Sequence, residues 1–146
     1  LFHNIIFSLN KLIYFFKFIL FLCSKFVFNM KILIAEDNEL IAYLLEALLK
    51  QKKHQVELAF EGIQASKILK KENFDLIITE ILLPFYTGFE ILHLINKQEN
   101  NAKIIILSSI WNTNTVYKAY QLNADLYISK PFDPYQLPME IEKLKI

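Results

Sequence analysis

Lys31-Ile-Leu-Ile-Ala-Glu-Asp37 is an unbroken apolar run that ends on two carboxylates. So short a run, with no polar alternation, suits a strand buried on both faces, as in a parallel sheet covered by helices. The pattern recurs at residues 55–59, 74–79, 103–107 and 125–128. Between these runs, residues 40–49, 62–69, 89–95 and 116–122 carry apolar side chains at helical spacing. Five such pairs in alternation predict a parallel α/β sheet with right-handed crossovers. Pro134 suits a first helical turn, whereas Pro138 would break a helix already under way. The last helix is therefore expected to start near Pro138 and to be short.

A length of 146 residues suits one domain. A content of 54% hydrophobic and 21% charged residues is too apolar for disorder, and two glycines with four prolines exclude collagen-like and low-complexity classes. The single cysteine, Cys23, allows no internal disulfide and no cysteine zinc site, so a reducing, cytoplasmic setting is expected. All sixteen basic residues are lysines, and thirteen of them face all fifteen acids in residues 30–146, a net −2 that argues against a nucleic-acid surface.

Composition changes at Met30. Residues 1–29 hold eight of the thirteen phenylalanines, three lysines and no acid. Lys11, Lys17 and Lys25 interrupt the apolar run before it reaches the roughly 18 residues of a membrane span, and no small-residue cleavage site marks a signal peptide. Met30-Lys31-Ile32 reads as a natural start, which makes 1–29 a hydrophobic leader translated from upstream. Wound as a helix, the leader gathers its polar residues within an arc of about 200°, so an interfacial membrane helix is the competing reading. Residues 30–146 form the domain.

Ligands of a doubly wound sheet bind beyond the carboxyl ends of its strands. There the first predicted strand ends at Glu36-Asp37, the third at Glu80, the fourth at Ser108-Ser109 and the fifth at Ser129-Lys130-Pro131. Three carboxylates, a hydroxyl and an ammonium group would meet at one rim. Converging carboxylates repel, and a hard cation, a raised pKa or a nearby lysine relieves them. His54 and His93 fall far apart and form no metal pattern, and no nucleophilic triad, glycine-rich phosphate loop or dinucleotide fingerprint appears.

With Pro84 and Gly88 shaping the loop after Glu80, this set resembles the receiver domain of two-component response regulators. The resemblance covers about residues 30–137. It rests on Lys31-Ile-Leu-Ile-Ala-Glu-Asp37, on Phe74-Asp-Leu-Ile-Ile-Thr-Glu-Ile-Leu-Leu-Pro84 with Gly88 beyond it, on Ile104-Ile-Ile-Leu-Ser108, and on Ala124-Asp125 leading to Tyr127 and Lys130-Pro131-Phe132. It implies a doubly wound, flavodoxin-like, five-stranded parallel sheet in the order 2-1-3-4-5. It further implies that Glu36 and Asp37, with Glu80, hold Mg²⁺ through oxygen ligands, that Lys130 and Ser108 contact phosphoryl oxygens, and that Tyr127 is an aromatic that rotates inward as Ser108 moves. The Lys130-Pro131 bond is expected to be cis, and Asn123 to sit in a left-handed turn. Implied partners are a histidine kinase or phosphotransfer protein and a downstream output protein, met through helix four, strand five and helix five near Tyr117 and Tyr120. Trp111 is expected either as an exposed partner contact or as a half-buried loop anchor.

One departure matters. Where the family carries the phosphoacceptor aspartate, this chain has Glu80. The added methylene moves the carboxylate by about one bond length, and a displacement on the order of 1 Å costs about a hundredfold in a positioned reaction. It also pushes negative charge toward the place of a phosphoryl group. The expectation is a receiver that works by protein contact with phosphorylation impaired or unnecessary; the alternatives are a weak conventional acceptor and a membrane-tethered regulator held by residues 1–29. No enzyme is expected: a phosphohydrolase would need an aspartate nucleophile and a second acid two residues on, where Leu82 stands. Too few residues follow Lys130 for more than one helix, so the chain is read as a stand-alone receiver or a piece of a longer regulator.

Overall fold

The described residues of the computed structural model are 29–98 and 101–144, so the readings made for the leader lie outside them, Met30 and its neighbour excepted. The apolar runs become strands β1 (Lys31–Ala35), β2 (Gln55–Ala59), β3 (Leu76–Thr79), β4 (Lys103–Ser108) and β5 (Leu126–Ser129). The helices are α1 (Glu39–Gln51), α2 (Gly62–Leu69), α3 (Gly88–Lys97), α4 (Thr113–Gln121) and α5 (Leu137–Lys143). All strand pairs are parallel and the sheet runs β2-β1-β3-β4-β5, the expected order.

Burial follows position in the sheet. β1, β3 and β4 are interior strands whose residues are buried almost throughout, as continuous apolar runs require. β2 and β5 are edges and are mostly half-buried, so burial on both faces does not extend to them. On one face Leu45 and Leu49 of α1 and Leu137 and Ile141 of α5 pack on Ile32, Ile34, Ile78 and Ile105. On the other, Ala65 and Leu69 of α2, Ile91, Leu92 and Ile95 of α3 and Ala119 of α4 pack on Leu33, Ile77 and Ile106. Helices thus switch faces between the connections that leave β1 and β3, which opens a crevice at the carboxyl ends of these two neighbouring strands.

Element boundaries moved where polar caps replace apolar periodicity. α4 starts at Thr113, ahead of the expected Val116, because the Asn112 side chain accepts from the Thr115 amide at 3.0 Å. α3 starts at Gly88 behind a capping box in which Thr87 and Glu90 bond reciprocally. β3 starts later than expected, at Leu76, since the Asp75 carboxylate accepts from the Lys31 amide at 2.7 Å and ends the loop. Pro138 lies in the first turn of α5, the position that tolerates proline. Asn123 adopts φ 65°, the left-handed turn expected of it. Among the described residues no helix is long and apolar enough to cross a membrane.

Candidate functional site

Glu36 and Glu80 leave adjacent strands at the crevice. Each is fixed by its own backbone: the Glu36 amide donates to the Ala59 carbonyl at 3.0 Å and the Glu80 amide to the Ala35 carbonyl at 2.9 Å. The loop after Glu80 has no room to shift. A Cβ on Gly88 would lie 2.3 Å from the Glu80 carbonyl oxygen, and one on Gly62 only 1.5 Å from the Tyr86 carbonyl oxygen. The glycines are needed because backbone passes against backbone at both points. The Pro84 carbonyl accepts from the amides of Gly62 and Tyr86.

Lys130 enters from beyond β5, its amide donating to the Ser108 carbonyl at 2.8 Å and its bond to Pro131 cis. Its ammonium group lies between the two carboxylates: 2.8 and 2.7 Å from Glu36 Oε1 and Oε2, and 2.9 Å from Glu80 Oε2. The other oxygen of Glu80, Oε1, accepts from the amides of Ile81 at 2.6 Å and Leu82 at 3.2 Å and from the Ser108 hydroxyl. Ser108 is fully buried and its oxygen accepts in turn from the Ile110 amide at 3.2 Å. One carboxylate therefore collects four donors. Tyr127 completes the cluster, with its hydroxyl donating to the Ile110 carbonyl beside Ser108.

Electrostatics follow from burial and pairing. Glu36 is 1% exposed, and burial lifts its pKa above the ordinary value against the pull of Lys130. Glu80 is 4% exposed; burial pushes it up, yet the hydrogen bonds from Lys130 and Ser108 outweigh that and hold it below the ordinary range. Burial works against the Lys130 ammonium, and the two carboxylates more than compensate, leaving its pKa raised. Burial also raises the Tyr127 phenol.

Of the residues singled out in the sequence, Glu36, Glu80, Ser108, Lys130 and Tyr127 come together, and Asp37 does not. The expected metal set of Glu36, Asp37 and Glu80 is not assembled: Asp37 is exposed, and among the described residues no three His, Cys, Asp or Glu side chains stand together to hold an ion. The physical reason is the position of Lys130. Its ammonium occupies the space between the two buried carboxylates and supplies the positive charge a cation would bring, so the residues as placed do not fit Mg²⁺. Sequence reading missed the amides of Ile81 and Leu82 and the carbonyl of Ile110, since backbone groups leave no compositional signal. Trp111 is exposed, not a half-buried anchor, and Tyr117 and Tyr120 are exposed on α4.

Chemically this is a buried cluster in which one carboxylate is held by an ammonium, a hydroxyl and two backbone amides. Residues 32–142 match the family model described as the response regulator receiver domain. A probable transcriptional regulator, ycf29 of Porphyra purpurea, is 31% identical over 115 residues, 77% of this chain and 55% of its own length. Sporulation initiation phosphotransferase F of Bacillus subtilis is 30% identical over 115 residues, covering 79% of this chain and 93% of its own. Among solved structures, response regulator TrrA of Thermotoga maritima in complex with Mg²⁺-BeF superposes with a TM-score of 0.69 at 30% identity, covering 78% of this chain and 97% of that one. The chain spans about half the length of the transcriptional regulators it matches.

Proposed function

The chain belongs to the response regulator receiver domain family, and on that premise we propose that it relays a two-component signal by protein contact without being phosphorylated, Glu80 serving as a built-in stand-in for the phosphoryl group. The supporting observation is that one carboxylate simultaneously engages the Ser108 hydroxyl, the Lys130 ammonium and the Leu82 amide. Ser108 and Lys130 are the residues that the family resemblance assigns to the phosphoryl oxygens. A carboxylate that already satisfies these donors is held below its ordinary pKa and is a poor nucleophile, and an incoming phosphoryl group would have to displace four hydrogen bonds. The inward Tyr127, bonded to the Ile110 carbonyl, agrees with an activated-like arrangement. The partners in this reading are a histidine kinase or phosphotransfer protein upstream and an output protein that reads the face of α4, β5 and α5, in the cytoplasm.

The test is intact mass after incubation with a small-molecule phosphodonor and Mg²⁺. The native chain is expected to gain nothing. The Glu80→Asp variant, whose carboxylate withdraws by one methylene and frees Ser108, Lys130 and the Leu82 amide, is expected to gain one phosphoryl group. A phosphoryl group on the native chain that disappears in Glu80→Gln would overturn the proposal and favour a conventional, weak acceptor.

A further inference from the structure

The amino edge of the sheet, opposite the Glu80 site, carries a separate feature. α1 and α2 end there in loops holding two lysine pairs, Lys52-Lys53 and Lys70-Lys71, all four exposed. Of the other lysines nearby, Lys31 pairs with Glu72, Lys50 with Glu46 and Lys103 with Asp125. The four loop lysines enter no ion pair among the described residues. Helix dipoles do not account for them, because the last turns of α1 and α2 already hold Lys50 and Lys67. Lys53 stands at φ 69°, a left-handed position where glycine or asparagine would be less strained.

The two lysine loops bracket the point at which the leader joins the domain. The Met30 amide donates to His54 Nδ1 at 3.3 Å and the Gln55 amide to the Met30 carbonyl at 2.8 Å, which ties the first loop to the entry of β1. The Asp75 amide donates to the Lys31 carbonyl at 2.8 Å, which ties the second. A segment with eight phenylalanines, three lysines and no acid therefore leads into a rim of unneutralised lysines. Apolar contact alone gives weak interfacial binding, and a polybasic surface is the usual second signal. We propose that the amino edge of this domain is a docking surface for an anionic lipid bilayer, with Lys52, Lys53, Lys70 and Lys71 meeting its phosphate headgroups. That orientation leaves the Glu80 site, at the opposite edge, pointing away from the bilayer and open to protein partners. The inference does not depend on how Glu80 acts.

The full chain is sedimented with vesicles of phosphatidylcholine alone and of phosphatidylcholine containing phosphatidylserine. Binding is expected to the anionic vesicles and to weaken as salt is raised, since surface attraction is screened. Reversing the four lysines together (K52E, K53E, K70E, K71E) should lower partitioning at least about tenfold, as each lysine near an anionic surface is worth about fivefold. Reversal of Lys118, whose ammonium lies over the Phe89 ring at the first turn of α3, on the opposite edge, should leave it unchanged. Circular dichroism checks that the variants fold, and glutamine at the same four positions, expected to give an intermediate loss, serves if the reversal does not. Equal partitioning into neutral and anionic vesicles, no binding to either, indifference to the four substitutions, or displacement from vesicles by an equal charge of duplex DNA would each overturn the proposal.

Discussion

Replacing Lys130 by methionine keeps most of the side-chain volume and removes one ammonium group. What remains is a pair of carboxylates, Glu36 and Glu80, whose side chains are 2% and 4% exposed and which shared that ammonium at 2.7 to 2.9 Å. Lys130 itself is only 15% exposed, so solvent screens the triad weakly. Removing one member of a buried ion cluster costs about 3–5 kcal/mol, because the remaining charge is left uncompensated. For a domain of about this size each kcal/mol moves the melting temperature by about 4 °C, so a fall of about 12–20 °C at pH 7 is expected in a circular-dichroism melt. The sign of the pH dependence follows from linkage. Without the ammonium both carboxyl pKa values rise, and a carboxylate with a raised folded pKa penalises the fold above that pKa and ceases to do so below it. The deficit should therefore shrink between pH 7 and pH 5, and Glu36→Gln added to Lys130→Met should recover part of it at pH 7. A drop under about 3 °C at pH 7, or a deficit that grows on acidification, would refute the triad as the device that neutralises the site.

Three further outcomes follow from named contacts. Gly88→Ala places a methyl group against the Glu80 carbonyl oxygen and should cost about 2–3 kcal/mol, read from the urea midpoint at constant slope. Tyr127→Phe removes the hydroxyl that donates to the Ile110 carbonyl; about 1 kcal/mol is expected, together with an altered emission from Trp111, the chain's single tryptophan, which follows Ile110 directly. In the native chain Glu80, with a lowered pKa, contributes stability that is lost as pH falls through its folded value, while Glu36, with a raised pKa, offsets that loss over the range just above its ordinary value. Glu36→Gln removes the offset, so its stability should fall more steeply than that of the native chain from pH 6 to pH 3 in denaturant titrations.

The strands were legible because an interior parallel strand must be apolar on both faces, and β1, β3 and β4 show that constraint as unbroken runs. Helix starts were less legible. The first turns of α3 and α4 are made by Thr87 with Glu90 and by Asn112 with Thr115, local hydrogen bonds that hydrophobic periodicity does not register. At the site, residue types at strand ends were enough to nominate Glu36, Glu80, Ser108 and Lys130, since parallel strands deliver their carboxyl ends to one rim.

Which of those groups neutralises which was decided by packing. Asp37 follows Glu36 directly in the chain, yet it is exposed while Glu36 is buried. Lys130 is 94 residues from Glu36, and only the β4–β5 pairing and the amide it donates to Ser108 carry its ammonium between the two carboxylates. By itself the order of residues determined a doubly wound sheet with an acidic, hydroxyl and ammonium rim, since strand burial and strand ends are local properties. That the Lys130 ammonium stands between Glu36 and Glu80, and that Glu80 collects four donors, was decided only in three dimensions, because the length of one side chain and the direction of another acquire meaning only against distant neighbours.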